Sequence, residues 1–196
     1  MSMEPFLELY RLKDLTRTGW QLRGILEPES VADHSWGTAL LVSRYCREAG
    51  VDCERALRIA VVHDLIEVRV GDIPRRVERR GKGVSEDEKR RREERAAAAI
   101  SRETEWPEFE KLWREYDLGE SAEAQFVRDM NLLDMVLQAT LYAEEKRWDG
   151  ESGAESFPTF QGLDEFFETS RPRVATELGR RLYEEVETLY ERSKKG

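Results

Sequence analysis

The chain has 196 residues, 39% of them hydrophobic and 37% charged, with a formal net charge of −9. That length carries one domain with a sizeable core, and five Trp, six Tyr and seven Phe supply core mass that a disordered, charge-rich chain lacks. The acidic balance excludes nucleic acid as the main partner, because duplex binding needs a dense basic face; a small anionic ligand stays compatible, since a few local Arg or a metal hold a phosphate against a global negative field.

Helical rather than strand periodicity runs along nearly the whole chain. The opening stretch MSMEPFLELYRLK carries charge where a secretion signal has its apolar core. Its first helix is expected from Pro5, with Phe6, Leu9 and Tyr10 on one side. The run 30–50 reads as a helix capped at Ser30 or Asp33 and stopped at Gly50. The run 52–71 reads as one helix from Asp52 to Gly71, central and buried because its middle is apolar on nearly all sides. A basic loop marked by Gly and Pro follows, then a helix over 85–103 with Ser85 and Glu88 as a capping box.

Further helices are expected over 107–119, over 121–147 with Ser121 as cap, and over 163–170 and 171–195. The stretch 148–162 reads as a loop. The predicted fold is all-α, a single domain over 1–196 with about six to nine helices. No run approaches the ~20 apolar residues of a membrane span. With only Cys46 and Cys53, the expectation is a soluble, cytoplasmic protein with reduced thiols.

The chain has two histidines, His34 and His63. Each sits beside an aspartate, in ADHSW and VHDLIE, and Glu67 follows His63 by four positions and Asp64 by three. On a continuous helix those three share a side. A carboxylate inside an apolar run is costly unless it is paired or bound to a metal, and imidazole with carboxylates suits a divalent cation.

In this order the segments RTGWQLRGILEPESVADHSW, AVVHDLIEVRVGDIP, EDEKRRREE, SAEAQFVRDM and MVLQA resemble the HD-domain metal-dependent phosphohydrolases and, more closely, the 5′-deoxynucleotidases among them. The resemblance spans about residues 7–142, leaving helices within 162–193 to pack on that part or to form a dimer interface. It implies one divalent metal, Co or Mn ahead of Mg, Fe, Ni or Zn, held by His34, His63, Asp64 and a distal aspartate. Asn131 stands at that distal position. Three readings stay open: the site accepts Asn, Asp134 one turn on takes its place, or an Asp-to-Asn change disables the chain. Asp129 is on another face of that helix.

The resemblance further implies Glu67 and Asp72 as catalytic acids. It implies Arg17, Trp20 and Arg23 as substrate-binding residues, Trp20 for stacking and the two Arg for phosphate. Their alternatives are a core tryptophan and surface arginines. Relatives carry Arg directly before that Trp, where Gly19 stands here, and Arg75 and Arg76 are further phosphate candidates. The basic loop up to Lys82 reads as a solvated lid, and Phe157, Phe160, Phe166 and Phe167 as core or dimer contacts. The implied activity is hydrolysis of deoxynucleoside 5′-monophosphates by a homodimer. The alternatives are action on nucleoside triphosphates or a specialised nucleotide, and a weakened nucleotide-binding regulator. A di-iron oxygenase of the same fold needs more histidines than two.

Overall fold

The computed structural model describes residues 2–73, 86–148 and 162–194. Helix α1 (Glu4–Tyr10) has Pro5 in its first turn and runs into a 3₁₀ turn, Arg11–Lys13. Helix α2 is Thr18–Leu22. Helix α3 (Val31–Ala49) starts at a capping box in which the Ser30 hydroxyl accepts from Asp33 N–H and the Asp33 carboxylate accepts from Ser30 N–H; it ends at Gly50 with φ 71°. Helix α4 (Cys53–Val62) is capped by Asp52. Then come α5 (Glu86–Glu103), α6 (Pro107–Leu118), α7 (Ala122–Glu144), α8 (Asp164–Ser170) and α9 (Glu177–Ser193). The fold is all-α, and among the described residues extended pairing is limited to the isolated bridges Thr16–Ser30 and Ile25–Trp148. No described helix is long and apolar enough to cross a membrane.

The single helix expected over 52–71 is corrected. It stops at Val62, passes through a turn over 63–66, and resumes as one helical turn, Glu67–Val70. On a continuous helix His63 and Asp64 would point about 100° apart; the turn instead brings Asp64 Oδ2 to 3.1 Å from His63 Nε2. The expectation that this segment is buried on nearly all sides is corrected too, since Glu54, Arg55, Leu57, Arg58 and Val61 face outward. The resumed turn is anchored by Arg69, whose guanidinium pairs with Glu8 of α1 at 2.6 Å and Glu103 of α5 at 2.5 Å.

The long α7 is the packing axis. Helices α3 and α9 lie along it, and α4 lies against α3, α6 and α7. Val42, Ile59, Phe126, Met130, Val136, Ala139 and Tyr142 fill the space between them. Phe166 stacks near Trp20 and Phe167 on Tyr190, so both belong to the core; Phe157 and Phe160 lie outside the described residues. The Ser85 cap, Arg75, Arg76 and Lys82 lie outside them as well.

The helix expected from 171 begins only at Glu177, after a 3₁₀ turn at Arg171–Arg173. Asp129 on α7 explains the late start. Its carboxylate accepts from Ala175 N–H, Thr176 N–H and Thr176 hydroxyl, at 2.6 to 2.9 Å, while Thr176 caps α9. A Cβ at Gly179 would lie 2.3 Å from Asp129 Oδ2. Asp129→Ala leaves two backbone donors without their acceptor, so it is expected to cost about 2–4 kcal/mol, read as a lowered urea midpoint.

The expected reduced thiols are also corrected: Cys46 and Cys53 are joined in a disulfide, across a separation of seven residues. The turn between α3 and α4, closed by Gly50, brings their Cα atoms to 5.2 Å, within bridging range.

Candidate metal centre

Two chain segments converge on one point, and a third lines the cavity beside it. His34 lies in the first turn of α3 and is fully buried. His63 and Asp64 occupy the turn after α4, and Asn131 lies on α7. His34 Nδ1 is 2.6 Å from Asp134 Oδ2, and His63 Nδ1 is 2.7 Å from the Ala60 carbonyl. A carboxylate and a carbonyl only accept, so each Nδ1 carries a proton, and in the neutral ring, the form that binds a metal, each Nε2 then presents a lone pair. Both Nε2 atoms are buried without a hydrogen-bond partner. They face Asp64 Oδ2, at 3.6 Å from His34 and 3.1 Å from His63.

Two lone pairs and a carboxylate oxygen so disposed fit a divalent cation, and His34, His63 and Asp64 are grouped closely enough to hold one. A second group, Glu29, His34 and Asp134, shares His34. Its carboxylates are committed elsewhere: Glu29 accepts from Arg17 and from Trp20 Nε1, and Asp134 accepts from His34. Asn131 shares the cavity with His63 and Asp64. Its Nδ2 donates to the Tyr116 hydroxyl at 2.7 Å.

The centre opens into a cavity of about 460 Å³. Arg17, Glu67 and Asn131 line it at the centre's side, and Lys89, Arg128 and Arg173 add three cations from α5, α7 and the turn before α9. Those three, with Tyr116 and Glu93, were not picked out from the sequence. Their signal there is only charge or ring at ordinary helical spacing, and the fold alone brings them together.

Asp72 is turned onto α2: its carboxylate accepts from Thr18 N–H at 2.6 Å, and its carbonyl accepts from the Thr18 hydroxyl at 2.8 Å. The helical turn ends on Gly71, with φ 81°, and the Asp72 side chain bridges from it to α2. Burial works against the charge of Arg17, but Glu29, Asp72, Asp64 and Asp134 more than offset it and raise its pKa. Burial raises the Glu67 pKa well above the usual carboxylate value, with Asp64 and Asp72 adding to it and Arg17 opposing. Burial alone would raise Asp64 too, yet His63, His34 and Arg17 hold its carboxyl well below the usual range.

The structure does not bring Trp20 and Arg23 into this cavity. Trp20 is 1% exposed, packed against Phe166 and Tyr142, and donates to Glu29. Arg23 is also 1% exposed; it pairs with Glu165, donates to the Gly162 carbonyl and lies over the Trp148 ring. The expected contacts with substrate are therefore corrected to packing for both, because each side chain already has its partners inside the protein.

A family model described as HD domain matches residues 9–164. The chain belongs to the HD domain family. Among curated relatives it is similar to the 5′-deoxynucleotidase hdd1 of Schizosaccharomyces pombe, at 36% identity over 80% of this chain and 79% of that protein. It is similar to the 5′-deoxynucleotidase HDDC2 of Homo sapiens, at 37% identity over 73% of this chain and 69% of that one. Of solved structures, the PH0347 protein of Pyrococcus horikoshii OT3 aligns over 97% of this chain and 99% of its own, with a TM-score of 0.69 and 33% identity. In this HD domain His63 and Asp64 are adjacent in sequence, and the neutral Asn131 lines the same cavity.

Proposed function

We propose that this HD-domain chain is a metal-dependent 5′-deoxynucleotidase, cleaving deoxynucleoside 5′-monophosphates to deoxynucleosides and phosphate. One observation carries the reading: two buried, unpartnered imidazole Nε2 atoms converge on Asp64 at the wall of a cavity that also presents Arg17 and Glu67. The 5′-deoxynucleotidase activity by which the relatives at 36% and 37% identity are named supports the substrate class.

His34, His63, Asp64 and Asn131 would hold one divalent ion, Co²⁺ or Mn²⁺ by resemblance. When bound, that ion supplies Lewis-acid charge and lowers the pKa of a water at the centre. Arg17, kept cationic by the acids around it, binds a phosphate oxygen. Glu67 keeps a proton to higher pH than an ordinary carboxyl and gives it to the leaving 5′ oxygen. Asp72, held by Thr18 N–H, orients the attacking water beside Arg17. Trp20 serves indirectly: it steadies Glu29, which in turn pairs with Arg17 at 3.3 Å.

The proposal includes a single domain over the whole chain and a homodimer. Trp36 and Leu40, one turn apart on α3 and 69% and 53% exposed, supply an apolar strip for a second copy. A second reading, action on nucleoside triphosphates, is favoured by the added cations Lys89, Arg128 and Arg173 along the cavity.

The test is phosphate release from deoxy- and ribonucleoside mono- and triphosphates with Co²⁺ or Mn²⁺, beside Asp64→Ala. Cleavage of deoxymonophosphates, lost in Asp64→Ala, is the expected result. Release confined to triphosphates transfers the proposal to the second reading, and release from none of them overturns the enzyme reading.

A further inference from the structure

Both carboxylate oxygens of Asp134 have a specific position. Oδ2 lies 2.6 Å from His34 Nδ1. Oδ1 lies over the Cα of Gly37, one turn further along α3, so close that a Cβ there would sit 1.9 Å from it. Any side chain at position 37 would push this carboxylate away. A glycine inside a helix is destabilising, and Gly37 serves neither a cap nor a left-handed turn, since it lies within Val31–Ala49 and its φ is negative. Asp134 is also not a stand-in for Asn131 as a metal ligand. The Nδ1 and Nε2 directions of an imidazole diverge widely, so a group bound at Nδ1 is on the wrong side of the ring for the centre.

We infer that Asp134 is a positioning residue that fixes the tautomer and ring orientation of His34, and that Gly37 is glycine so that this carboxylate can enter. The inference rests on the reading of His34, His63 and Asp64 as a metal centre. An acceptor on the far nitrogen of a ligating histidine fixes the ring and raises its basicity. His63 obtains the same service from the Ala60 carbonyl, but an anion does it more strongly than a neutral carbonyl. His34 therefore brings anionic support to a centre whose distal donor, Asn131, has no charge.

The experiment measures two quantities on the full chain and on Asp134→Ala, Asp134→Asn, Gly37→Ala and the double variant Gly37→Ala/Asp134→Ala. The first is the imidazole ¹⁵N–¹H spectrum of metal-free protein, which reports which nitrogen of His34 bears the proton. The second is Co²⁺ affinity by calorimetry. Native protein is expected to show the Nδ1–H form alone. Asp134→Ala is expected to show a mixture of forms and about tenfold to a hundredfold weaker Co²⁺ binding. Asp134→Asn, which keeps an acceptor of the same shape, should retain the tautomer and lose less affinity. Gly37→Ala should reproduce Asp134→Ala, and should have almost no effect on affinity once Asp134 is already Ala.

An unchanged Nδ1–H signal together with Co²⁺ affinity within twofold of native in Asp134→Ala overturns the inference. Independent, multiplying losses from the two single variants overturn it as well. Should the Ala variants fail to fold, Asp134→Asn carries the test, and an unchanged Nδ1–H signal together with Co²⁺ affinity within twofold of native in it overturns the inference. If native protein binds no Co²⁺, the metal reading fails by itself while the spectra still decide what Asp134 does to His34.

Discussion

Glu67→Gln is expected to cut phosphate release by about 10²–10⁴-fold while making the metal-free protein more stable at neutral pH. Burial, then Asp64 and Asp72, raise the folded-state pKa of Glu67 above the ordinary value of 4.5, against the pull of Arg17. Between the ordinary and the raised value the folded chain binds a proton that the unfolded chain has released. Stability therefore falls as pH rises through that window, and below it both states are protonated and the effect vanishes. Glutamine is neutral at every pH and lacks this slope. The two proteins should melt alike near pH 4, and the variant about 2–4 °C higher at pH 8. Calorimetry of metal-free protein across this range checks the stability half. Equal melting at all pH values would mean that Glu67 carries no ionisation cost.

The kinetic half separates two roles. If Glu67 transfers a proton, Co²⁺ affinity in the variant stays within a few-fold of native while turnover collapses. If Glu67 instead supports a ligand, affinity falls with turnover by tenfold or more. The geometry favours the first: the far nitrogen of His63 already has the Ala60 carbonyl as its partner, which leaves Glu67 facing the cavity. Gain of stability on loss of activity is the usual sign of a carboxyl held in place for its chemistry.

The centre was legible because its residue types are rare and its spacing local. Two histidines, each beside an aspartate, needed no knowledge of the fold to be singled out, and the caps at Ser30, Asp52, Ser121 and Gly119 marked helix ends by side-chain chemistry alone. The break after Val62 was not legible. Val62, Leu65 and Ile66 continue an apolar pattern that a helix and a tight turn both satisfy, and what opens the turn is the convergence of His63 and Asp64 on His34, a contact across α3. Trp20 and Arg23 looked like a ligand grip for a similar reason. An aromatic and a cation near a motif read alike whether they face substrate or core. The partners that settle it, Phe166 for Trp20 and Glu165 and Gly162 for Arg23, lie about 140 residues downstream. The Cys46–Cys53 bond depended on the tightness of one interhelical turn, which spacing alone leaves undetermined.

Asn131→Asp is expected to move metal-free and metal-bound stability in opposite directions. Asn131 shares its cavity with Asp64 and Glu67, so a third carboxylate adds repulsion when no cation is present. That costs about 1–2 kcal/mol, or roughly 2–8 °C of melting temperature. With Co²⁺ present the sign reverses. An anionic oxygen replaces a neutral amide oxygen, and ligand charge is a main determinant of divalent affinity. A gain of ten- to a hundredfold in affinity adds about 1.4–2.7 kcal/mol at saturation.

Tyr116 allows the exchange sterically. Its hydroxyl accepts from Asn131 Nδ2 in the native chain, and a phenol can turn to donate to a carboxylate at the same site. The two melting curves, followed against Co²⁺ concentration, should therefore cross, with the variant lower at zero metal and at least level with native at saturation. The metal-induced rise is the quantity to compare, because it isolates binding from the cost paid by the empty centre. An equal rise in both proteins would mean that position 131 lies outside the coordination sphere and that His34, His63 and Asp64 hold the ion without it. A larger rise, with turnover at limiting Co²⁺ increasing in step, would mean that the neutral donor restrains this centre through metal occupancy rather than through the chemistry of Glu67 and Asp72.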